Sequence, residues 1–309
     1  MVKSDFKSKV RKLVIIDGNA ILHRAYHALP PLTDRNNEPI NAVYGFVSML
    51  LRIVQDLKPT DIVVCFDRKE PTFRHEEYKE YQSHRPEMDK ELSSQFKKAR
   101  KVIDAFGIPI FSKAGYEADD VIGTLARQVE KNVDGVVIVT GDRDILQLVN
   151  DKTKVYLPIK GLSNAVLMGE AEVIEKMGVK PNSIDDYKAL VGDPSDNYPG
   201  VPGIGPVTAI KLLNEYKDLD GVYKNIKKLP DRTREKLVNG KESAIMSRKL
   251  AQIVTKVPVK IDLEKTNKWK IDSNKVFETF KLLGFKTLSK RVKKMGEEIK
   301  KENQMILFP

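Results

Sequence analysis

Short runs of β-branched and other apolar residues recur along the chain and alternate with amphipathic stretches. Leu13 to Ile16, Ile62 to Phe66 and Val136 to Val139 are apolar on both faces. That is the pattern of strands in a parallel sheet covered by helices on each side. Ile108 to Phe111 and Val155 to Leu157 carry a weaker form of it. Between these runs, apolar positions recur at helical spacing over roughly Ala42 to Asp56, Leu92 to Ala105 and Ala118 to Lys131. Strand and helix in alternation predict an α/β layer fold with a mostly parallel central sheet flanked by helices.

The strand ends carry the candidate chemistry. The first ends at Asp17-Gly18, the second at Asp67, and a later one at Thr140-Gly141-Asp142-Arg143-Asp144. Ligands of parallel α/β sheets collect beyond the carboxyl ends of the strands, so these segments bring carboxylates to one rim. One Asp after a strand is commonly a cap or turn residue, but three such ends point to a site. Gly115 to Gly123 adds Glu117, Asp119 and Asp120 at a helix start. One or two acids there would suit the helix dipole. Three so close repel one another unless cations neutralise them. Asp142 with Asp144, and Asp193 with Asp196, make two further close pairs. An oxygen-only donor set, with His23, His27, His75 and His84 off zinc spacing, selects hard cations such as magnesium or manganese. A set this large has room for two ions, which at ~4 Å separation support in-line hydrolysis of a phosphodiester.

Lys69 to Lys101 is densely charged, includes Phe73, Tyr78 and Tyr81, and has no clear strand. It reads as a helical or partly mobile excursion over the active rim. After about residue 180 the chain becomes helical and basic. There Gly200-Val201-Pro202-Gly203-Ile204-Gly205-Pro206 precedes an amphipathic stretch from Val207 to about Tyr216. Its glycines permit positive φ and close backbone approach, and the helix N-terminus offers N–H groups to a phosphate. The pattern fits either a hairpin of helices that grips a DNA backbone without reading sequence or an ordinary tight turn between helices.

Charge adds to this picture. Lys and Arg number 54 against 43 Asp and Glu, a formal charge of +11. That excess favours a nucleic-acid partner or marks a merely basic surface. Cys65 is the only cysteine, so no intrachain disulfide can form, and its apolar surroundings predict a buried small hydrophobe. The first apolar run is too short for a signal peptide, and no window reaches a membrane span. The expectation is a cytoplasmic monomer without a membrane partner.

On these motifs the chain resembles the 5′-nuclease domain of bacterial DNA polymerase I and, more distantly, the flap endonucleases. The resemblance runs from about Leu13 to about Phe285. Besides the acidic segments it rests on Tyr26 to Thr33, Ala42 to Phe46, Thr72-Phe73-Arg74-His75, His84-Arg85-Pro86 and Gly192 to Gly205. It implies a PIN-like nuclease domain over residues 1–180 and a helix-hairpin-helix subdomain over 181–285. Asp17, Asp67, Glu117 and Asp119, with Asp120 beside them, would hold one ion. Asp142, Asp144, Asp193 and Asp196 would hold the second. Gly203 and Gly205 would form the DNA-gripping turn, which in the family also holds a monovalent cation such as potassium. Residues 69–101 would form the arch or gateway for a 5′ single strand, with Arg74 and Arg85 touching phosphates and Arg85 serving catalysis. The implied activity is 5′-3′ exonuclease and flap endonuclease action on DNA with a 5′ flap, nick or branch, during replication and repair.

Two departures stand out. The family pattern Tyr-Lys-x-x-Arg-Pro is here Tyr81-Gln82-Ser83-His84-Arg85-Pro86, so Gln82 replaces a lysine. Loss of one charged donor to a transition state costs on the order of a hundredfold in rate. Lys79, one helical turn earlier, is the candidate substitute. With Gln82, a catalytically weakened DNA-junction binder stays open as an alternative, as does a ribonuclease on the same fold. The second departure is the basic tail, residues 286–309, whose Gln304-Met305-Ile306-Leu307-Phe308 resembles the peptide by which bacterial replication proteins dock on the sliding clamp. Gln304, Leu307 and Phe308 would be its anchors on a flexible linker, unless the tail folds back on its own domain.

Overall fold

The computed structural model describes residues 10–160 and 164–307. Its apolar runs become strands β1 (Lys12–Asp17), β2 (Asp61–Cys65), β3 (Ile110–Phe111), β4 (Gly135–Val139), β5 (Thr153–Lys160) and β6 (Asn164–Met168). They form one sheet of order β3-β2-β1-β4-β5-β6. All neighbours pair parallel except β5 and β6. From β1 the chain first builds outward through β2 and β3, then returns to place β4 and β5 on the other side. The reversal opens a crevice beyond the carboxyl ends of β1 and β4.

The two faces of β1 feed two cores. Leu13 and Ile15 pack with the helix Ala118–Val129 and with Val201 and Leu212 of the C-terminal region. Val14 and Ile16 pack with the helices Gly18–Ala28, Asn41–Leu57 and Lys90–Ala105, and with Phe280. Alternation of side chains along a strand produces this division and explains why β1 is apolar throughout. Cys65 is fully buried in β2, as its neighbours imply.

Three features depart from the sequence reading. The helix Gly18–Ala28 begins immediately after β1, with Asp17 as its cap. Its Gly18 lies against the Phe66 ring, where an added Cβ would sit 2.4 Å from a ring carbon. The excursion over the rim is shorter than 69–101. From Lys90 onward the chain is a helix whose Leu92, Gln95, Ala99, Val102 and Ile103 are buried. Third, the basic tail is not an extended linker: residues Lys286–Leu307 form a helix that buries Leu288 and Val292 against the core. Gln304 and Leu307 fall in its last turns, and Phe308 lies outside the described residues. No helix among the described residues is long and apolar enough to cross a membrane.

Candidate active site

A cleft of about 1210 Å³ opens beyond the carboxyl ends of β1, β2 and β4. Asp17, Asp67, Glu117, Asp119, Asp142, Asp144 and Asp196 all line it. Asp17 is 4 % exposed and is held by two donors, the Ala20 amide at 2.9 Å and the Thr140 hydroxyl at 2.7 Å. Its fixed position follows from its double role as strand end and helix cap. The Ala118 amide, at the start of the acidic helix, donates to Asp67 at 2.7 Å. Segments far apart in sequence thus interlock through their carboxylates. Thr140 also accepts from the Asp142 amide at 3.0 Å, and Asp142 accepts from the Asp144 amide at 2.8 Å.

Packing so many carboxylates together is electrostatically unfavourable. Burial, then the charges of Asp67 and Asp142, push Asp17 up to about 7. Burial also pushes Glu117 up to about 7, although Arg74 opposes it. Asp119 is raised well above the carboxylate range by burial and by Asp142 and Asp17, and Asp67 is raised by burial. A fold that retains these groups at neutral pH calls for positive charge among them.

Part of that charge is internal. Lys188, on the helix Ile184–Val191, donates to both Asp144 and Asp193. Burial works against its charge, but the two acids raise it above the usual lysine value. Asp144 is nonetheless pushed up to about 6 by burial. Burial also works to raise Asp193, yet Lys188 and the Ser195 amide and hydroxyl hold it below the usual range. One oxygen from each of Asp144, Asp193 and Asp196 lies within 4.8 Å of the others, a spacing that suits a single hard cation.

The gateway segment sits on this second cluster. The Gln82 amide N–H donates to the Asp196 carbonyl at 2.9 Å, and its side-chain Nε2 donates to Asp196 Oδ1 at 3.1 Å. Arg85 Nη2 reaches the same oxygen at 2.5 Å. The Tyr81 hydroxyl lies 3.3 Å from both Glu117 Oε2 and Asp196 Oδ2, between the two acid clusters. Asn197 Nδ2 donates to the Glu80 carbonyl and to Ser83 Oγ, tying the gateway turn down from outside.

The structure corrects three of the expected roles. Arg74 is 2 % exposed, and its guanidinium is fully engaged by Asp120 and by the carbonyls of Leu250 and Gln252. It is a buried clamp with no free edge for a DNA phosphate. Asp120 accepts two bonds from Arg74 and one each from the amides of Glu117 and Val254. Its lone pairs are filled, which removes it from the set of metal ligands. Lys79 is exposed and lies outside the cleft lining, so it does not stand in for the missing lysine.

A family model described as 5′-3′ exonuclease, N-terminal resolvase-like domain, matches residues 12–178, and one for the C-terminal SAM fold of that exonuclease matches 179–274. The chain belongs to the 5′-3′ exonuclease family. DNA polymerase I of Caldicellulosiruptor bescii is 44% identical over 285 residues, covering 91% of this chain and 33% of that protein. DNA polymerase I of Bacillus subtilis is 39% identical over 296 residues, covering 96% of this chain and 34% of its own. The chain therefore spans about a third of the length of these relatives. Among solved structures, T5 5′-exonuclease with divalent metal ions (zinc) bound has a TM-score of 0.64 at 22% identity, covering 93% of this chain and 99% of that one. The catalytic core of Rad2 in complex with DNA substrate has a TM-score of 0.54 at 19% identity, covering 90% and 89%. These likenesses establish the shared fold.

In this member of the family the SAM-like region carries the glycine loop between the helices Ile184–Val191 and Pro206–Tyr216. Gly203 takes φ +78°, a conformation that disfavours a side chain, and Gly205 caps the second helix. Lys236 Nζ, on the helix Asp231–Asn239, donates to the Gly203 carbonyl at 2.8 Å and braces the turn. Sequence reasoning missed Lys188, Thr140 and Tyr81. Thr140 lies inside a motif that was read for its acids alone. Lys188 is a lone basic residue on a short helix, and only the fold brings it to Asp144.

Proposed function

We propose that this exonuclease hydrolyses phosphodiesters near the base of a 5′ flap or at a 5′ end on duplex DNA, using two divalent ions, magnesium or manganese. The observation that carries this reading is the convergence of carboxylates from three strand ends and the SAM-like region on one cleft. Asp17, Asp67, Glu117 and Asp119 would hold one ion, and Asp142, Asp144, Asp193 and Asp196 the other. Bound ions would supply an activated water and stabilise the leaving oxygen.

The chain's own groups would do the rest. Thr140 and the Ala20 amide fix the Asp17 carboxylate. Tyr81 holds Glu117 and Asp196 in register. Arg85, half-exposed at the cleft mouth, is the cation available to charge developing on the phosphate. The glycine hairpin would bind the duplex backbone. There the Gly203 carbonyl already accepts from Lys236, so a potassium ion at this turn would compete with an ammonium group. Gln304, Leu307 and Phe308 remain the proposed clamp-docking peptide of a monomeric enzyme. Deleting residues 304–309 should abolish co-elution with a sliding clamp and spare cleavage.

The deciding experiment follows a 5′-labelled flap on duplex DNA with magnesium, with EDTA and with Asp142→Asn. Magnesium-dependent cuts at the flap base, lost in the variant, are expected. Tight flap binding without cleavage under magnesium or manganese would favour a junction binder. Preference for an RNA flap would favour a ribonuclease.

A further inference from the structure

Asp193 and Tyr198 face each other across a pair of two-residue antiparallel strands, β7 (Gly192–Asp193) and β8 (Tyr198–Pro199). Residues directly opposite in such a pair project their side chains to the same side, so this hairpin delivers a phenol to the second acid cluster. Tyr198 is 4 % exposed, and its hydroxyl is buried without a hydrogen-bond partner. Its ring lies nearly parallel to that of Tyr81, 18° between planes and 6.4 Å between centres, and packs with Leu250 and Ala251. Burial raises its pKa, and the charge of Asp144, then those of Asp193 and Asp196, raise it further, so the hydroxyl keeps its proton.

The acids around it draw on other donors. Asp193 takes the Ser195 amide and hydroxyl on Oδ1 and Lys188 on Oδ2. Asp196 takes Gln82 and Arg85 on Oδ1 and Tyr81 on Oδ2. Asp144 takes Lys188 on Oδ1. A buried hydroxyl left out of such a network is costly, and a phenylalanine ring would fill the same space without that cost. The donor finds a use once the network is redrawn. A divalent ion among Asp144, Asp193 and Asp196 has to take oxygens that Lys188 now holds, and a ligating carboxylate needs a donor behind it to keep its orientation. We propose that Tyr198 is a positioning residue for this cluster: in the ion-loaded protein its hydroxyl takes over from Lys188 as the donor that fixes Asp144. The inference rests on the two-ion reading of the cleft and adds to it a residue outside the acids.

The test titrates metal-free protein with manganese by calorimetry, without DNA, for the parent, Asp193→Asn and Tyr198→Phe. Asp193→Asn marks the binding step that belongs to this cluster. Tyr198→Phe keeps the ring, removes the hydroxyl and should weaken that step about tenfold. In EDTA its melting temperature should match or exceed the parent's, because the hydroxyl has no bond to lose there. On a 5′ flap, half-maximal cleavage should need about tenfold more magnesium. Parental manganese affinity in Tyr198→Phe would overturn the proposal and leave the two-ion reading intact. So would a melting temperature in EDTA well below the parent's, since the hydroxyl would then already be holding the metal-free fold. No altered step in Asp193→Asn would mean that the cluster takes no ion, and the two-ion reading would fall together with the proposal.

Discussion

Arg74 and Asp120 form a bidentate ion pair, Nη1 to Oδ2 at 2.7 Å and Nη2 to Oδ1 at 2.9 Å, at the root of the gateway. Both groups are buried, and Arg74 also donates to the Leu250 and Gln252 carbonyls at the C-terminal end of the helix Lys241–Ala251. The pair joins the gateway, the acidic helix and the C-terminal region. Arg74→Met should therefore destabilise the protein by about 3 to 5 kcal/mol, because it strands a buried carboxylate. Urea unfolding at neutral pH measures this. Unchanged stability with weakened DNA affinity would return Arg74 to the phosphate-contacting role.

That correction shows what was legible in the sequence. The parallel sheet was visible because β1, β2 and β4 are apolar on both faces. The rim was visible because Asp17, Asp67 and Asp142 follow those strands. Partnership was not visible. Asp120 reads like Asp119 in sequence, yet one helical step turns it from the cleft toward Arg74. The edge strand β6 was missed although Ala165 to Met168 is as long an apolar run as Leu13 to Ile16; at the sheet edge Val166 and Leu167 are left exposed.

Gln82 points into the cleft and donates to Asp196, so its position is that of a working side chain. Gln82→Lys keeps the donor and adds a charge. Turnover on a 5′ flap under saturating magnesium should rise about tenfold or more if transition-state charge is what the cleft lacks. The left-handed backbone at residue 82, φ 55°, is common to both proteins and cancels from the comparison. Equal turnover would mean that Arg85 already meets the need.

The raised acids predict an inverted pH response in the metal-free protein. Asp17 and Glu117 at about 7, and Asp144 at about 6, hold protons in the folded state that they release when unfolded. The folded state binds more protons between the ordinary carboxyl range and about pH 7, so stability falls as pH rises through that window. In EDTA the melting temperature should be higher near pH 5.5 than near 7.5, and Asp17→Asn should flatten the difference. Magnesium should stabilise strongly at the higher pH and weakly at the lower, where protons already neutralise the acids. A metal-free protein that gains stability from pH 5.5 to 7.5 would contradict this account of the cleft.

Lys188 lies between Asp144 and Asp193 and neutralises them internally. A cation entering the cluster with Asp196 must compete with that ammonium for the same oxygens. Lys188→Met removes the competitor and leaves two mostly buried carboxylates facing each other. The metal-free protein should lose about 1 to 3 kcal/mol of stability, less than for a fully enclosed pair because the cleft admits water. Manganese should bind the variant more tightly, since the ion now relieves a repulsion that Lys188 had been relieving. Calorimetric titration of the variant and the parent with manganese reads this directly. Weaker binding in the variant would show that Lys188 orients the carboxylates for the ion instead of standing in its place.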